Sequence, residues 1–285
     1  MMEIVRIPTK AHAFIQEQKK AGKTIGLVPT MGALHQGHAY LIEKCKREND
    51  FTVCSIYVNP AQFNNQKDFD TYPDLFEQDI AMVKALGCNA VFAPSHQAMY
   101  PEGAGENLLQ FNFGKLASEL EGRYRPGHFS GVGVVVAKLL NIIAPHKAYF
   151  GQKDLQQYLI IKKLCRDLSF QTEIVMCPTK REEDGLAMSS RNLRLTKTER
   201  EKAPLLYSVL SEAVLELKSG KKASQVKQKA FDEIAKEPMF KPEYVEVVSL
   251  ESFEILSGQL TENAAICVSA HLGNARLIDN LLVQV

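Results

Sequence analysis

One short stretch, residues 25–41, constrains the fold of this chain more than any other. Its apolar run from Ile25 to Val28 is typical of a buried strand, which we expect Pro29 to end. A turn at Gly32 follows, and a helix is expected to begin near Gly37. The stretch therefore predicts a strand, a turn and a helix, the repeating unit of α/β folds.

Two histidines, His35 and His38, flank the expected start of that helix. Backbone N–H groups and the helix dipole favour an anion at a helix N-terminus. Imidazoles beside such a site can donate hydrogen bonds to phosphate oxygens as charge shifts during a reaction. The same spacing can also bind a metal, and a strand–Gly–helix turn is often only a turn. The phosphate interpretation therefore depends on the rest of the chain.

The apolar pattern of the remaining chain predicts two domains. Strand and helix patterns alternate up to residue 177, which predicts an α/β fold with a Rossmann-like parallel sheet and helices on both faces. Within it, Asp74 and Glu77 are expected to open a helix through a capping box. Beyond it, two helices (199–218 and 224–236) precede strands near 243–250 and 264–270. We therefore predict an α/β domain over 1–177 and a smaller C-terminal α+β domain over 178–285.

The composition excludes several classes of function. A net charge of +1 gives no general attraction to nucleic acid or to an acidic membrane. The six cysteines include no Cys-x-x-Cys pair, so neither a zinc site nor a disulfide framework is indicated. The N-terminal residues lack a signal-peptide core, and no apolar run approaches membrane-spanning length. We expect a soluble, cytoplasmic protein without nucleic-acid or membrane partners.

In an open α/β sheet, ligands bind beyond the carboxyl ends of the strands. This rule selects three segments of the chain: 29–38, 59–63 and 150–154. Because parallel strands end at the same edge of a sheet, these segments are expected to form one site.

The second and third segments, with Gln157 just beyond the third, carry polar side chains that suit a nucleotide and a small acid. Gly151 permits close approach to the backbone, and Lys153 supplies a positive charge. Asp154 can bind a ribose hydroxyl or can cap the helix that follows. Gln62 and Gln157 can bind hydroxyl and carboxylate groups, although an exposed glutamine is usually only solvated.

Another polar loop, Met188 to Asn192, follows the expected domain boundary. The hydroxyls of Ser189 and Ser190 and the guanidinium of Arg191 can hold a triphosphate. Such a loop is otherwise a helix cap or a linker. Its position suggests a lid that closes on a nucleotide.

Two further motifs are weaker. The run from Gly131 to Gly133 lacks the third glycine of a dinucleotide-binding fingerprint and suggests a helix entry. His128 can be a functional residue or can simply order its loop.

The motifs taken together resemble the pantoate–β-alanine ligase family. They occupy residues 29–38, 57–63, 125–129, 150–157, 184–192 and 276–280, in family order. The resemblance implies the ATP-dependent joining of (R)-pantoate and β-alanine to give pantothenate, AMP and pyrophosphate. It also implies Mg²⁺, a homodimer, and membership of the nucleotidyltransferase group with a His-x-Gly-His turn.

The resemblance also implies a set of site residues. The catalytic set is His35, His38, Lys153 and Arg191. The ATP-binding set is Met31, His35, His38, Gly151, Lys153, Asp154, Met188, Ser189, Ser190 and Arg191. The pantoate-binding set is Gln62, Gln157, Met31 and Phe63. Asp79 matches a position associated with the metal, and its alternative is a solvated helix carboxylate.

Two rival functions remain open at this point. One is another adenylyl- or cytidylyltransferase that uses the same turn with a different acceptor. The other is a nucleotide-binding regulatory module that never releases pyrophosphate. A synthetase acting on transfer RNA is disfavoured by the near-neutral charge and the lack of an added RNA-binding domain.

Overall fold

The computed structural model describes residues 2–64, 69–105 and 108–285. The chain divides into two units, Met1–Pro178 and Thr179–Val285. Each unit has its own sheet and its own hydrophobic core.

Within the described residues, the first unit contains a six-stranded sheet in the order β1-β4-β3-β2-β5-β6, with every registered pair parallel. Its strands are β1 Glu3–Val5, β2 Ile25–Thr30, β3 Phe51–Ile56, β4 Ala90–Phe92, β5 Lys147–Gly151 and β6 Glu173–Cys177. From β2, the chain adds β3 and β4 on one side and later β5 and β6 on the other. The carboxyl ends of β2 and β5 thus adjoin at the topological switch point, where α/β folds bind ligands.

Helices cover both faces of this sheet, which confirms the predicted fold class. The side chain of Leu27 packs in a core that includes residues of α1, α6 and α7. The neighbouring Val28 packs in a separate core with residues of α2 and α3. Alternate residues of a buried parallel strand serve opposite faces, which explains the continuous apolar run. The helices are α1 Pro8–Lys20, α2 Gln36–Glu48, α3 Phe76–Ala85, α4 His96–Met99, α5 Glu121–Tyr124, α6 His128–Ile143 and α7 Leu155–Asp167.

The prediction that Pro29 ends its strand is wrong, because β2 continues to Thr30. β5 registers with Gly26 and Leu27, before Pro29 is reached. Pro29 therefore lies beyond the residues that pair with β5, so its lack of an N–H group removes no hydrogen bond to that strand.

The predicted capping box at the start of α3 is also wrong. The helix begins at Phe76 after Leu75, and no side chain caps it. Asp74 Oδ1 instead accepts a hydrogen bond from the Phe76 N–H at 3.3 Å. The carboxylate thus closes a local turn, a competing bond that aspartate often makes with the backbone two residues on.

The described part of the second unit combines helices with an antiparallel three-stranded sheet, which confirms the predicted α+β class. The expected helix 199–218 is divided at Ala203 and Pro204, because proline has no N–H to continue the helical hydrogen bonds. The third strand was not predicted, since polar residues interrupt its apolar pattern. The elements are α8 Lys197–Lys202, α9 Leu205–Lys218, α10 Ala223–Ala235, β7 Phe240–Ser249, β8 Ala264–Leu272 and β9 Ala275–Val283.

A partly buried ion pair links β9 to the beginning of the second unit. Arg181 donates from Nη1 to Asp279 Oδ2 at 2.6 Å and from Nη2 to Oδ1 at 2.9 Å. The guanidinium carbon also lies 4.2 Å from the centroid of the Tyr207 ring. Such bidentate contacts fit the planar guanidinium to a carboxylate.

All six cysteines are free and buried. Among the described helices, none is both long and apolar enough to cross a membrane.

We expect Asp279→Asn to lower the free energy of unfolding by about 1.5–3 kcal/mol, because the partly buried guanidinium of Arg181 loses its countercharge but keeps its bonds to the Gly185 and Asn280 carbonyls. The control is Glu233→Gln, which removes an exposed pair with Lys236 and should cost about 1 kcal/mol or less. Urea unfolding followed by circular dichroism measures both. Equal losses in the two variants would contradict a special role for the partly buried pair.

Candidate active site

The turn after β2 places His35 and His38 against each other at the N-terminus of α2. His35 is the N-cap residue, and its Nδ1 accepts a hydrogen bond from the Gly37 N–H at 3.1 Å. The His35 N–H donates in turn to His38 Nδ1 at 3.3 Å, and the ring centroids are 4.1 Å apart. Since each Nδ1 accepts a hydrogen bond, we assign the proton of each neutral ring to Nε2. The helix start thus carries two imidazole N–H donors.

Burial keeps both rings neutral at pH 7. It lowers the pKa of His35 to about 4, and the positive charge of Lys153 contributes to the shift. Burial also lowers the pKa of His38 to about 3, with contributions from His35 and then Lys153. A neutral imidazole supplies a hydrogen-bond donor beside Lys153 without adding a second positive charge.

Lys153 comes from the end of β5, at the other side of the switch point. Gly151 is the last residue of that strand, and a Cβ added to it would meet no atom within 4 Å. The backbone at Gly151 is therefore open to a ligand, as the sequence predicts. Asp154 occupies the N-cap position of α7, but its side chain makes no capping hydrogen bond. The capping alternative for Asp154 is therefore wrong.

Gln62 and Met31 meet from the ends of β3 and β2. Gln62 ends the 3₁₀ turn Pro60–Gln62, and its Nε2 donates to Met31 Sδ at 2.9 Å. The glutamine is only 7% exposed, so it is not a solvated surface amide. Asn59 Nδ2 donates to Gln62 Oε1 at 3.1 Å and orients the amide.

Asn59 is a positioning residue that the sequence analysis missed. It is 1% exposed, and its Oδ1 accepts from the Tyr100 hydroxyl at 2.8 Å. Its Nδ2 also donates to the Gly131 carbonyl at 3.2 Å. The strand-end rule selected the segment that contains Asn59, but its partners lie 41 and 72 residues away in the sequence.

Two residues of α6 order the same segment. His128 Nδ1 donates to the Gln62 carbonyl at 2.7 Å and so orders the turn that carries Gln62. Its Nε2 accepts from Arg125 Nη1 at 3.2 Å, so it also orders its own loop, one of the two roles left open above. A Cβ on Gly131 would overlap the Ala61 carbonyl. Glycine therefore allows α6 to pack directly against the turn that carries Gln62.

The remaining pantoate candidates are Phe63, which follows β3, and Gln157, on the helix that follows β5. Phe63 makes edge-on ring contacts with Phe69 and Tyr72, at centroid distances of 5.3 and 5.9 Å. The Tyr72 hydroxyl donates to the Gly32 carbonyl at 3.5 Å. Gln157 is half-buried in the first turn of α7.

Asp79 is buried, at 3% exposure, so the solvated-carboxylate alternative is wrong. Its Oδ2 accepts from the Ala33 N–H at 2.9 Å and its Oδ1 from the Leu34 N–H at 2.7 Å. Burial raises its pKa, although both of these hydrogen bonds act in the opposite direction. Both carboxylate oxygens are thus engaged by the turn that leads to His35.

The donor set does not fit a metal ion held by the protein. Across residues 2–64, 69–105 and 108–285, no group of three or more His, Cys, Asp and Glu side chains could hold one. Enzymes that act on nucleotides usually hold Mg²⁺ by one or two carboxylates together with substrate phosphates. Asp79, the carboxylate expected for this role, is buried and directed to backbone N–H groups.

The loop from Met188 to Asn192 belongs to the second unit. Ser189 is the N-cap of the 3₁₀ helix Ser190–Arg194, and its Oγ accepts from the Arg191 N–H at 3.3 Å. Asn192 Nδ2 donates to the Ala187 carbonyl at 3.2 Å. The capping interpretation thus holds for Ser189, and the cap orders the backbone at Arg191.

The structure brings the histidines together near Lys153, and Met31 together with Gln62, all within the first unit.

We expect the NMR signals of His35 and His38 to show no titration between pH 8 and about pH 5, because their pKa values lie at about 4 and about 3. Because folding lowers these pKa values, the contribution of the two histidines to stability is fully present at pH values above the pKa of an unfolded histidine, about 6.5. That contribution is lost as the pH falls from about 6.5 toward 4 for His35 and toward 3 for His38. Lys153→Ala should raise both pKa values, and midpoints near 6.5 in the wild type would contradict the burial argument.

Comparisons with known proteins identify the family of this chain. The sequence model of the pantoate–β-alanine ligase family matches residues 3–282. A pantothenate synthetase from Acetivibrio thermocellus is 43% identical over 285 residues, 100% of both chains. A pantothenate synthetase structure from Thermus thermophilus superposes with a TM-score of 0.90 at 40% identity, covering 98% of this chain and 99% of the other. The ligase from Francisella tularensis, complexed with β-γ ATP and β-alanine, gives a TM-score of 0.80 at 38% identity, covering 99% and 98%. The resemblance inferred from the motifs is confirmed: this chain belongs to the pantoate–β-alanine ligase family, whose members are ATP-dependent ligases.

Proposed function

We propose that this chain condenses (R)-pantoate with β-alanine, using ATP, to give pantothenate, AMP and pyrophosphate through a pantoyl-adenylate. The observation that carries the proposal is the pair of neutral imidazoles, each with an Nε2–H donor, beside Lys153 at a helix N-terminus. Family membership and the Francisella tularensis complex with β-γ ATP and β-alanine support it.

The first half-reaction must bring two anions together. A pantoate carboxylate oxygen bonds to the α-phosphorus of ATP, and the bond from that phosphorus to the bridging oxygen breaks, so that pyrophosphate leaves. In the proposal, the Nε2–H groups of His35 and His38 donate to phosphate oxygens, and Lys153 offsets the negative charge of the two anions. Because these donors are already oriented by hydrogen bonds and packing, they need little rearrangement as charge develops.

The proposed pantoate site lies where β2 and β3 end. The buried amide of Gln62, together with Gln157, would bind the hydroxyl and carboxylate groups of pantoate. Met31 and Phe63 would contact its dimethyl group. The bond from Gln62 Nε2 to Met31 Sδ supports this assignment, because a thioether is a weak acceptor that a substrate oxygen can replace.

The proposed ATP contacts fall into a ribose set and a phosphate set. Gly151 and Asp154 would bind the ribose, and the open space at Gly151 supports that role. The loop residues Met188, Ser189, Ser190 and Arg191 would act as a lid that binds the phosphates. A lid is needed because the acyl-adenylate is prone to hydrolysis.

In the second half-reaction, the unprotonated amine of β-alanine attacks the acyl carbon of the adenylate. A carbon–nitrogen bond forms, the bond from the acyl carbon to the AMP oxygen breaks, and the amine loses a proton. No protein nucleophile is required. The role of the protein is to hold the adenylate and the amine in contact and to exclude water.

ATP would enter as its Mg²⁺ complex, with the ion as part of the substrate.

The family resemblance also leads us to propose a homodimer. Six free cysteines are typical of a reducing compartment, which supports the expected cytoplasmic location.

The test of the proposed function is the exchange of labelled pyrophosphate into ATP, with Mg²⁺ and (R)-pantoate present and β-alanine absent. We expect exchange that depends on pantoate, because a reversible adenylate forms without the amine. If ATP binds and no exchange occurs, the acceptor has been misassigned. A nucleotidyltransferase with another acceptor would then be the better hypothesis.

We expect Lys153→Ala to slow this exchange about 100- to 1,000-fold, the usual effect of removing one donor to a transition state. The control is Lys162→Ala, which removes the same charge from an exposed position on α7. Circular dichroism verifies that both variants fold. A near-wild-type exchange rate in Lys153→Ala would remove this lysine from the catalytic set.

A further inference from the structure

The turn between β2 and α2 has an unusual backbone. Gly32 has a φ of +84° and the next residue, Ala33, has a φ of +50°. An alanine in the left-handed region is uncommon and strained, and such a conformation persists only where its surroundings hold it. Something outside the turn must therefore stabilise it.

The carboxylate of Asp79 provides that support. Its two oxygens accept the consecutive N–H groups of Ala33 and Leu34, at 2.9 and 2.7 Å, across 46 and 45 residues of sequence. Successive N–H groups in a left-handed turn form a concave site for an anion. Here that site holds a side chain of the protein's own α3.

Asp79 packs closely against the inner side of the turn. A Cβ added to Gly32 would lie 3.0 Å from Asp79 Oδ2 and 3.3 Å from Ile56 Cγ2. Ala33 and Asp79 are 4% and 3% exposed. The carboxylate is thus enclosed by the inner side of the turn, and both of its oxygens are already hydrogen-bonded.

The Leu34 amide, which Asp79 binds, lies directly before His35 in the chain. The backbone N–H and Nδ1 of His35 make the two hydrogen bonds that orient the imidazoles. We propose that Asp79 is a positioning residue for His35 and His38, holding the turn through the Ala33 and Leu34 N–H groups, and that it does not ligate Mg²⁺. The expected effect on adenylation rests on the proposed function.

The test compares Asp79→Asn with Glu77→Gln, an exposed carboxylate in the first turn of the same helix. Asparagine keeps the shape of the side chain, but its NH₂ group faces one of the two N–H donors. We expect hydrogen exchange of the Ala33 and Leu34 amides to become at least about tenfold faster. Glu77→Gln should leave both amides unchanged.

Pantoate-dependent pyrophosphate exchange and its Mg²⁺ requirement are measured on the same variants. For Asp79→Asn we expect kcat to fall at least about tenfold, with the KM for ATP and the half-saturating Mg²⁺ concentration within about twofold of wild type. A rise of about tenfold in the Mg²⁺ requirement, with amide protection intact, would make Asp79 a metal ligand and overturn the proposal. Unchanged kcat with lost protection would also overturn it.

A measurement on the wild type keeps the proposal testable if Asp79→Asn does not fold. Protection of the Ala33 and Leu34 amides is followed in the ATP-saturated protein before and after Mg²⁺ is added. Protection should persist, and its loss on Mg²⁺ addition would mean that the ion takes the carboxylate oxygens. If the wild type shows no pantoate-dependent exchange, the proposed function fails, while the amide measurement still decides the role of Asp79.

Discussion

The parallel pairing of β2 with β3 and β5 is the constraint on which the candidate site depends. β2 registers with β3 from Ile25–Phe51 to Thr30–Ile56, and with β5 at Gly26–Lys147 and Leu27–Ala148. Parallel strands end at one edge of the sheet, so the three segments that follow these strands share that edge. A slip of one residue would turn each side chain of β2 to the opposite face, so Leu27 and Val28 would exchange cores and their present packing would be lost.

Beyond the strand ends, buried polar side chains hold loops that have little regular structure of their own. Asp79 binds the turn before His35, Asn59 binds Gln62, and His128 binds the Gln62 carbonyl. Each of these side chains is at least nine-tenths buried, so an unmade hydrogen bond would be costly. The same cost restricts the loops to one conformation, which suits a site whose donors must be oriented before the substrate arrives.

The parts of the site that could be predicted from the sequence are those set by residues close to one another along the chain. The pattern at 25–41 predicted the strand, the turn and the helix start, and the histidines follow from their place in it. The burial of Asp79 could not be predicted, because its partners lie 45 and 46 residues earlier. The capping box at Asp74 was wrong for a related reason, since a local turn at Phe76 competes for the same carboxylate.

The sequence by itself determined the fold class, the order of the elements and the identity of the chemical groups at the strand ends. These properties follow from apolar periodicity and from the residue types in each turn, which act over a few residues. Only the tertiary structure decided that burial lowers the pKa values of His35 and His38, and that Asp79 holds the turn before them. Burial sets the charge of the two imidazoles, and hydrogen bonds to a turn 45 and 46 residues away set the role of Asp79. Both arise only when the sheet and its helices have packed.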